Sequence, residues 1–169
     1  MAGEERWAGG RETNMRDIRE LGINRGGKPV AGLALSDEEV HRFESAMGLA
    51  PPPAYRALLA ISNGGHPEAA CFLAEDEGVV YEFEVGEFLC WGTGDGGVER
   101  ETEVWRKASG REDLVAFART QGGDVFVLVR ERVEPPSVWI CLHEEGFELS
   151  FVADTFEQFI DGLSFCDVD

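Results

Sequence analysis

The sequence predicts an α+β fold: an N-terminal helical hairpin and a C-terminal helix packed on a mostly antiparallel, twisted sheet of about five or six strands. Three observations predict it. Two capped amphipathic helix patterns stand side by side ahead of His66, the apolar period switches to two from Cys71 onward, and a short helix pattern closes the chain.

Residues 1–32 read as a loosely held arm rich in Gly and charge, and residues 33–169 as one domain. Within the arm, a short helix fits residues 14–21, with Asn14 as cap, Met15, Ile18 and Leu21 at helical spacing, and Gly22 as stop. The domain opens with a helix over residues 36–47. Ser36-Asp37-Glu38-Glu39 is a capping box whose acids stand at the positive end of the helix dipole, and Val40, Phe43 and Met47 form the buried stripe. Gly48-Leu49-Ala50-Pro51 breaks this helix and leads into a second, making an αα-hairpin. Pro52 and Pro53 suit the second start because their φ is already near-helical and a first turn needs no donor from them. Tyr55, Leu58, Leu59 and Ser62 make its buried stripe, and Asn63-Gly64-Gly65 predicts a left-handed cap.

Val79, Tyr81, Phe83 and Val85 alternate with Val80, Glu82 and Glu84, which predicts a strand with one face inward and an acidic face in water. Gly86 marks a bulge or turn before Phe88-Leu89-Cys90-Trp91. Between Asp95 and Ser109, residues Val98, Val104, Trp105 and Ala108 fit either a helix or a long loop. Strands follow over 114–118, 125–129, 138–142 and 147–152, and the separators Gly122-Gly123-Asp124, Pro135-Pro136 and Glu144-Glu145-Gly146 are short enough for hairpins. In the closing helix Asp154 is the expected N-cap, Glu157 sits at capping-box spacing, and Phe156, Phe159, Ile160 and Leu163 line one face.

A formal net charge of -18, from 33 acidic against 15 basic residues, argues against nucleic-acid or anionic-membrane binding and favours a basic partner. No apolar run reaches the length of a membrane span, and Met1-Ala2-Gly3-Glu4-Glu5-Arg6 is charged without a following signal segment, so a cytoplasmic protein is expected. Cys71, Cys90, Cys141 and Cys166 show no Cys-x-x-Cys spacing, and a chain of 169 residues with 43% hydrophobic content needs no disulfide. Free, mostly buried thiols are expected.

No reading of the residues yields a catalytic set. Gly92-Thr93-Gly94-Asp95-Gly96-Gly97 lacks the Gly-Lys-Ser/Thr ending of a phosphate loop, and its Asp repels phosphate; a flexible loop accounts for it. Cys141 and His143 share a strand face and with Cys90 offer at most three metal ligands, without the knuckles of a structural site; a buried Cys beside a hydrogen-bonded His is the plainer reading. His41, His66 and His143 are the only histidines, and none stands in a nucleophile motif. Neither metal nor other cofactor is expected, and the chain reads as a non-enzyme.

Pro52 and Tyr55 at a helix start, Asn63-Gly64-Gly65 at its end, a strand-rich middle, and Ala153-Asp154-Thr155-Phe156 with Phe159 at the close resemble the signature of the SUKH superfamily. That superfamily holds the yeast cell-wall-synthesis regulators and many bacterial immunity proteins. Each element is common, but their order and separation are not. Pro51 stands where the pattern has Leu before its first Pro.

The resemblance implies an immunity protein that binds a cognate toxin domain stoichiometrically, a nuclease or another basic toxin. Its alternative is a regulatory or scaffolding module of the yeast-regulator kind. An acidic inhibitor meeting a basic toxin is sound physically, because complementary charge speeds association. The candidate contacts are Glu75-Asp76-Glu77, Glu82 and Glu84 with Glu87, and Glu144-Glu145 with Glu148, and sheet topology and register decide whether they share one side of the sheet. Each cluster alone also reads as a solvated face. Phe88, Trp91 and Trp105 are aromatic anchors if exposed and core if not.

Overall fold

Seven strands and four α-helices are laid down in an order that separates a small hairpin from a larger sheet. The computed structural model describes residues 15–24, 30–92, 97–130 and 135–167, and the counts refer to these. Helices α1 (Asp37–Met47) and α2 (Pro53–Ile61) precede β1 (Cys71–Asp76), β2 (Val79–Glu84) and the two-residue β3 (Glu87–Phe88). Helix α3 (Val98–Ser109), strands β4 (Leu114–Arg119), β5 (Val125–Val129), β6 (Ser137–Leu142) and β7 (Glu148–Ala153), and helix α4 (Phe156–Gly162) complete the chain. The main sheet has the order β3-β4-β5-β6-β7 and is antiparallel throughout; β1 and β2 form a sheet of their own.

Strand β5 is buried at all five residues, as a strand covered on both faces must be. Phe117 of β4 is the centre of the core: its ring lies 5.2 Å from Phe156, 5.5 Å from Phe159, and 6.4 Å from both Tyr55 and Phe126. The signature helices α2 and α4 thus meet on one cluster of rings beneath the sheet. Edge-to-face and tilted geometries predominate there, as aromatic quadrupoles prefer.

The segment between Asp95 and Ser109 resolves into helix α3, with Val98, Thr102 and Trp105 buried at helical spacing and Gly110 in the left-handed C-cap. Thr102 Oγ1 accepts the backbone N–H of Ala116 at 2.9 Å, where the β4–β5 register shifts between Ala116 and Ala118. A helix side chain therefore satisfies a donor beside the irregularity. Arg106, on the same helix, donates to the carbonyls of Met47 and of Leu114, the latter at 2.9 Å, tying the end of α1 to β4. Burial pulls the Arg106 pKa below its ordinary value, but two carbonyl acceptors hold the guanidinium in place.

Several local expectations need correction. Ser36 and Glu39 do form the capping box of α1. At α4, however, the cap is Thr155, whose hydroxyl accepts Gln158 N–H, while the Gln158 side chain reaches back to Asp154 N–H; the helix begins one residue later than Asp154 implies. Helix α2 ends through Ser62 in extended conformation, not through a left-handed cap. Within residues 1–32, a 3-10 turn spans Ile18–Leu21, capped by Asp17, with Ile18 and Leu21 in the core. Asn14, the expected cap, lies outside the described residues. Arg16 holds this turn to the domain by donating to the Ile160 and Leu163 carbonyls at the end of α4. Among the described residues, 15–24 are therefore docked where a loosely held arm was expected.

The thiol expectation is overturned for two of the four cysteines. Cys71 and Cys166 form a disulfide with Cα atoms 5.2 Å apart, inside the usual range of about 4.4–6.8 Å. The tail after α4 returns antiparallel to the start of β1, where Cys71 and Ser164 exchange backbone hydrogen bonds of 2.8 and 2.9 Å. That pairing brings together cysteines 95 positions apart, which no local spacing rule can reveal. Cys90 and Cys141 remain thiols, and burial pushes the Cys141 pKa up to about 11.

Candidate functional site

Strand β2 of the β1–β2 hairpin has five of its six residues exposed and none buried, and the hairpin's sequence explains how it is built. Glu77 and Gly78 connect the strands with φ of 53° and 82°, and two positive φ values in a two-residue loop match the twist of a hairpin. The register runs Asp76↔Val79, Glu75↔Val80, Ala74↔Tyr81, Leu73↔Glu82, Phe72↔Phe83 and Cys71↔Glu84. Partners in such pairs share a face.

One face anchors the hairpin. Phe72 stacks on Phe159 of α4 at 5.4 Å, and Phe83 meets Phe126 of β5 edge-on at 6.3 Å. The other face carries Leu73, Glu75, Val80, Glu82 and Glu84, all in solvent, with Leu73 64% and Val80 61% exposed. Toward the turn even the anchoring side is open: Val79 and Tyr81 are 50% and 44% exposed. The expectation that Val79, Tyr81, Phe83 and Val85 form an inward face thus holds for Phe83 and Val85 only. A two-stranded sheet that projects past its support cannot bury the end of its apolar face.

The carboxylates singled out in the sequence do not form one cluster. Glu75, Asp76, Glu77, Glu82 and Glu84 lie together on the hairpin. Glu87 sits on β3, at one edge of the main sheet, ion-paired with Arg119 at 3.2 Å. Glu148 opens β7 at the opposite edge, beside Glu144 and Glu145 in the 3-10 turn His143–Glu145. Phe88, Trp91 and Trp105 are buried and serve the core. Sequence reasoning placed Val80 on the water-facing side, where it lies, but missed Leu73 as an exposed apolar residue, because alternation alone does not say which sheet a strand joins.

The metal reading of Cys90, Cys141 and His143 gains no support from the geometry. His143 Nδ1 is 2.6 Å from Asp124 Oδ1, and the Cys141 thiol donates to the Phe147 carbonyl at 3.4 Å. Among the described residues, the ligand-type atoms close enough to share an ion are those of Cys71, Cys166 and Glu82, and both sulfurs of that trio are joined in the disulfide.

The signature residues have structural work. Pro52 and Pro53 start α2, and Tyr55 is buried against Phe43, Phe117 and Phe156. Burial, then the Glu99 carboxylate and Cys90, raise the Tyr55 phenol above its ordinary pKa. The Asn63 side chain clamps the loop after β3 by accepting Trp91 N–H at 2.8 Å and donating to Trp91 C=O at 3.0 Å. Gly64 and Gly65 have φ of 96° and 122°, and a Cβ on Gly64 would meet Phe88 O at 3.1 Å and Cys90 N at 3.2 Å. Only glycine lets the two backbones approach so closely. Ala153, Phe156 and Phe159 are buried, and Asp154 is exposed at the start of α4. The family model described as SMI1 / KNR4 family (SUKH-1) matches residues 34–162. The chain belongs to this SUKH-1 family. No curated protein matches it.

SUKH-1 membership places the chain among immunity and regulatory proteins that are generally non-catalytic and act through protein–protein interaction. Of the signature residues, Tyr55, Phe156 and Phe159 pack on Phe117 in the core and so build its frame. No helix among the described residues is long and apolar enough to cross a membrane. One consequence is testable on the frame alone. Asn63→Ala is expected to cost about 2 kcal/mol, since two backbone groups of Trp91 lose their partners. Asn63→Asp, which accepts but cannot donate, is expected to recover little of this. Urea unfolding would check both, and a wild-type midpoint in Asn63→Ala would show that the clamp is dispensable.

Proposed function

We propose that this chain is an immunity protein that acts in the cytoplasm by binding a basic toxin domain one to one, with the acidic β1–β2 hairpin at the centre of the interface. A nuclease is the toxin class whose surface fits best, because a site built for phosphates is basic. The observation that carries the reading is the hairpin itself: Glu75, Glu82 and Glu84 share a face with exposed Leu73 and Val80, in a family that works by protein contact. Charge speeds the encounter, and the desolvated aliphatic centre slows dissociation. No turnover is involved, since occupying the toxin surface is sufficient.

The superfamily holds regulators as well as immunity proteins, and a scaffolding module would use the same surface on several partners. Co-expression with the C-terminal domain of the protein encoded immediately upstream separates the two readings. Rescue of growth together with a one-to-one complex is expected. Toxicity unrelieved and no co-elution, with weak binding to several cellular proteins instead, would establish the scaffold reading.

Glu82→Lys combined with Glu84→Lys is expected to slow association with the basic partner at least about tenfold at low salt. Both residues are exposed, so the thermal midpoint is expected to stay near wild type. An unchanged on-rate at low salt would remove the hairpin from the interface.

A further inference from the structure

We propose that the open edge of β2 receives an added strand from the partner, an extended segment in which basic and apolar residues alternate. The identity of that partner as a toxin rests on the immunity reading; the edge itself does not.

The phase of the hairpin decides which backbone groups are available. Asp76 and Val79 flank a two-residue turn and are cross-strand partners, so they form the hydrogen-bonded pair nearest the turn. Hydrogen-bonded pairs alternate along an antiparallel ladder, so Ala74↔Tyr81 and Phe72↔Phe83 are of the same kind. Val80, Glu82 and Glu84 therefore direct both N–H and C=O away from β1. Cys71, opposite Glu84, provides an independent check: its backbone bonds outward to Ser164 on the far side of β1. The tail thus occupies the outer edge of β1 at Cys71, while the outward groups of β2 have no hydrogen-bond partner among the described residues.

An exposed edge of this kind is normally blunted by Lys, Pro, a bulge or a covering loop. Val79-Val80-Tyr81-Glu82-Phe83-Glu84 has neither Lys nor Pro, its pairing with β1 is continuous, and its residues favour extended structure. Only carboxylates guard it. That choice deters some partners and recruits others.

The side chains specify the occupant. An added strand sets one set of its alternate residues beside Val80, Glu82 and Glu84, and the other set beside Val79, Tyr81 and Phe83. The first row calls for Lys or Arg, the second for aliphatic or aromatic residues. A second copy of this chain is the wrong occupant, because it would lay Glu82 and Glu84 against their own kind between molecules of net charge -18.

The test uses the whole protein and two probes, the upstream-encoded domain tested as the toxin and a short peptide of alternating Lys and Val. The amides of Val80, Glu82 and Glu84 are expected to gain at least about tenfold protection from hydrogen exchange on binding, while the amides of Tyr81 and Phe83, already bonded to β1, change little. Glu82→Pro, which deletes an outward donor, is expected to weaken binding about tenfold or more, and Glu82→Gln, which keeps that donor, by less. A toxin that binds with no protection at these three amides overturns the edge while sparing the immunity reading. A toxin that fails to bind, alongside peptide protection of the edge, sinks the immunity reading and sustains the added strand. Protection already present in the free protein, with a dimeric mass in sedimentation, would replace the partner strand by a second copy. Failure of both probes to protect the edge ends the proposal.

Discussion

Phe117→Ala is expected to destabilise the protein by about 3–5 kcal/mol and to lower its thermal midpoint by roughly 10 °C. Phe117 is fully buried, and its ring touches Tyr55 of α2, Phe126 of β5, and Phe156 and Phe159 of α4. Four of its neighbours are themselves large rings held in place by three separate elements, so the cavity cannot collapse without moving a helix. Phe117→Leu retains most of the volume and is expected to cost about half as much or less. Calorimetry on both variants decides the matter. A loss under about 1 kcal/mol for Phe117→Ala would mean that the two signature helices do not depend on a common ring cluster.

Reduction of the Cys71–Cys166 disulfide is expected to lower stability by about 2–4 kcal/mol, or roughly 5–12 °C in midpoint. The bond closes a loop spanning 95 positions, so breaking it returns a large amount of freedom to the unfolded chain. Cys166→Ala is expected to match the reduced wild type and to be insensitive to further reductant. Thiol counting under denaturing conditions provides the check: the oxidised chain should titrate only Cys90 and Cys141, and the reduced chain all four cysteines. Four titratable thiols without reductant, and a midpoint that ignores reductant, would show that the pair is not bonded. Such a bond survives best outside a reducing cytoplasm, so the same count made on protein taken from cells tests the cytoplasmic part of the proposed function.

Much of the fold was legible because it rests on short-range rules. Ser36 and Glu39 form a capping box since their spacing and chemistry allow it in any helix start. Strands β4 to β7 follow from apolar runs separated by turn residues, and their pairing follows from connections too short for anything but hairpins. Helix α3 was ambiguous because few of its residues are apolar; its burial of Val98, Thr102 and Trp105 is visible only once β4 lies against it. The cap of α4 was misplaced by one residue, since Asp154 and Thr155 both have capping side chains and packing chose between them.

The candidate site was legible in part. Its charges stood plainly in the sequence, and the acidic face of the strand over Glu82 and Glu84 is where the alternation placed it. Its geometry was not legible. Glu87 and Glu148 are separated by the width of the main sheet, and Leu73, Val79 and Tyr81 are exposed, for reasons of strand order.

What the sequence by itself determined is most of the local elements, the frame residues Asn63, Gly64, Gly65 and Phe156, and a formal net charge of -18. Tertiary structure alone decided that β1 and β2 stand apart from the main sheet, that Cys71 meets Cys166, and that the edge of β2 is open. The physical reason is range. Caps, periods and turns act over a few residues, whereas sheet order, disulfide partners and exposed edges depend on which distant segments share a surface, and the free energy of that choice is spread over the whole core.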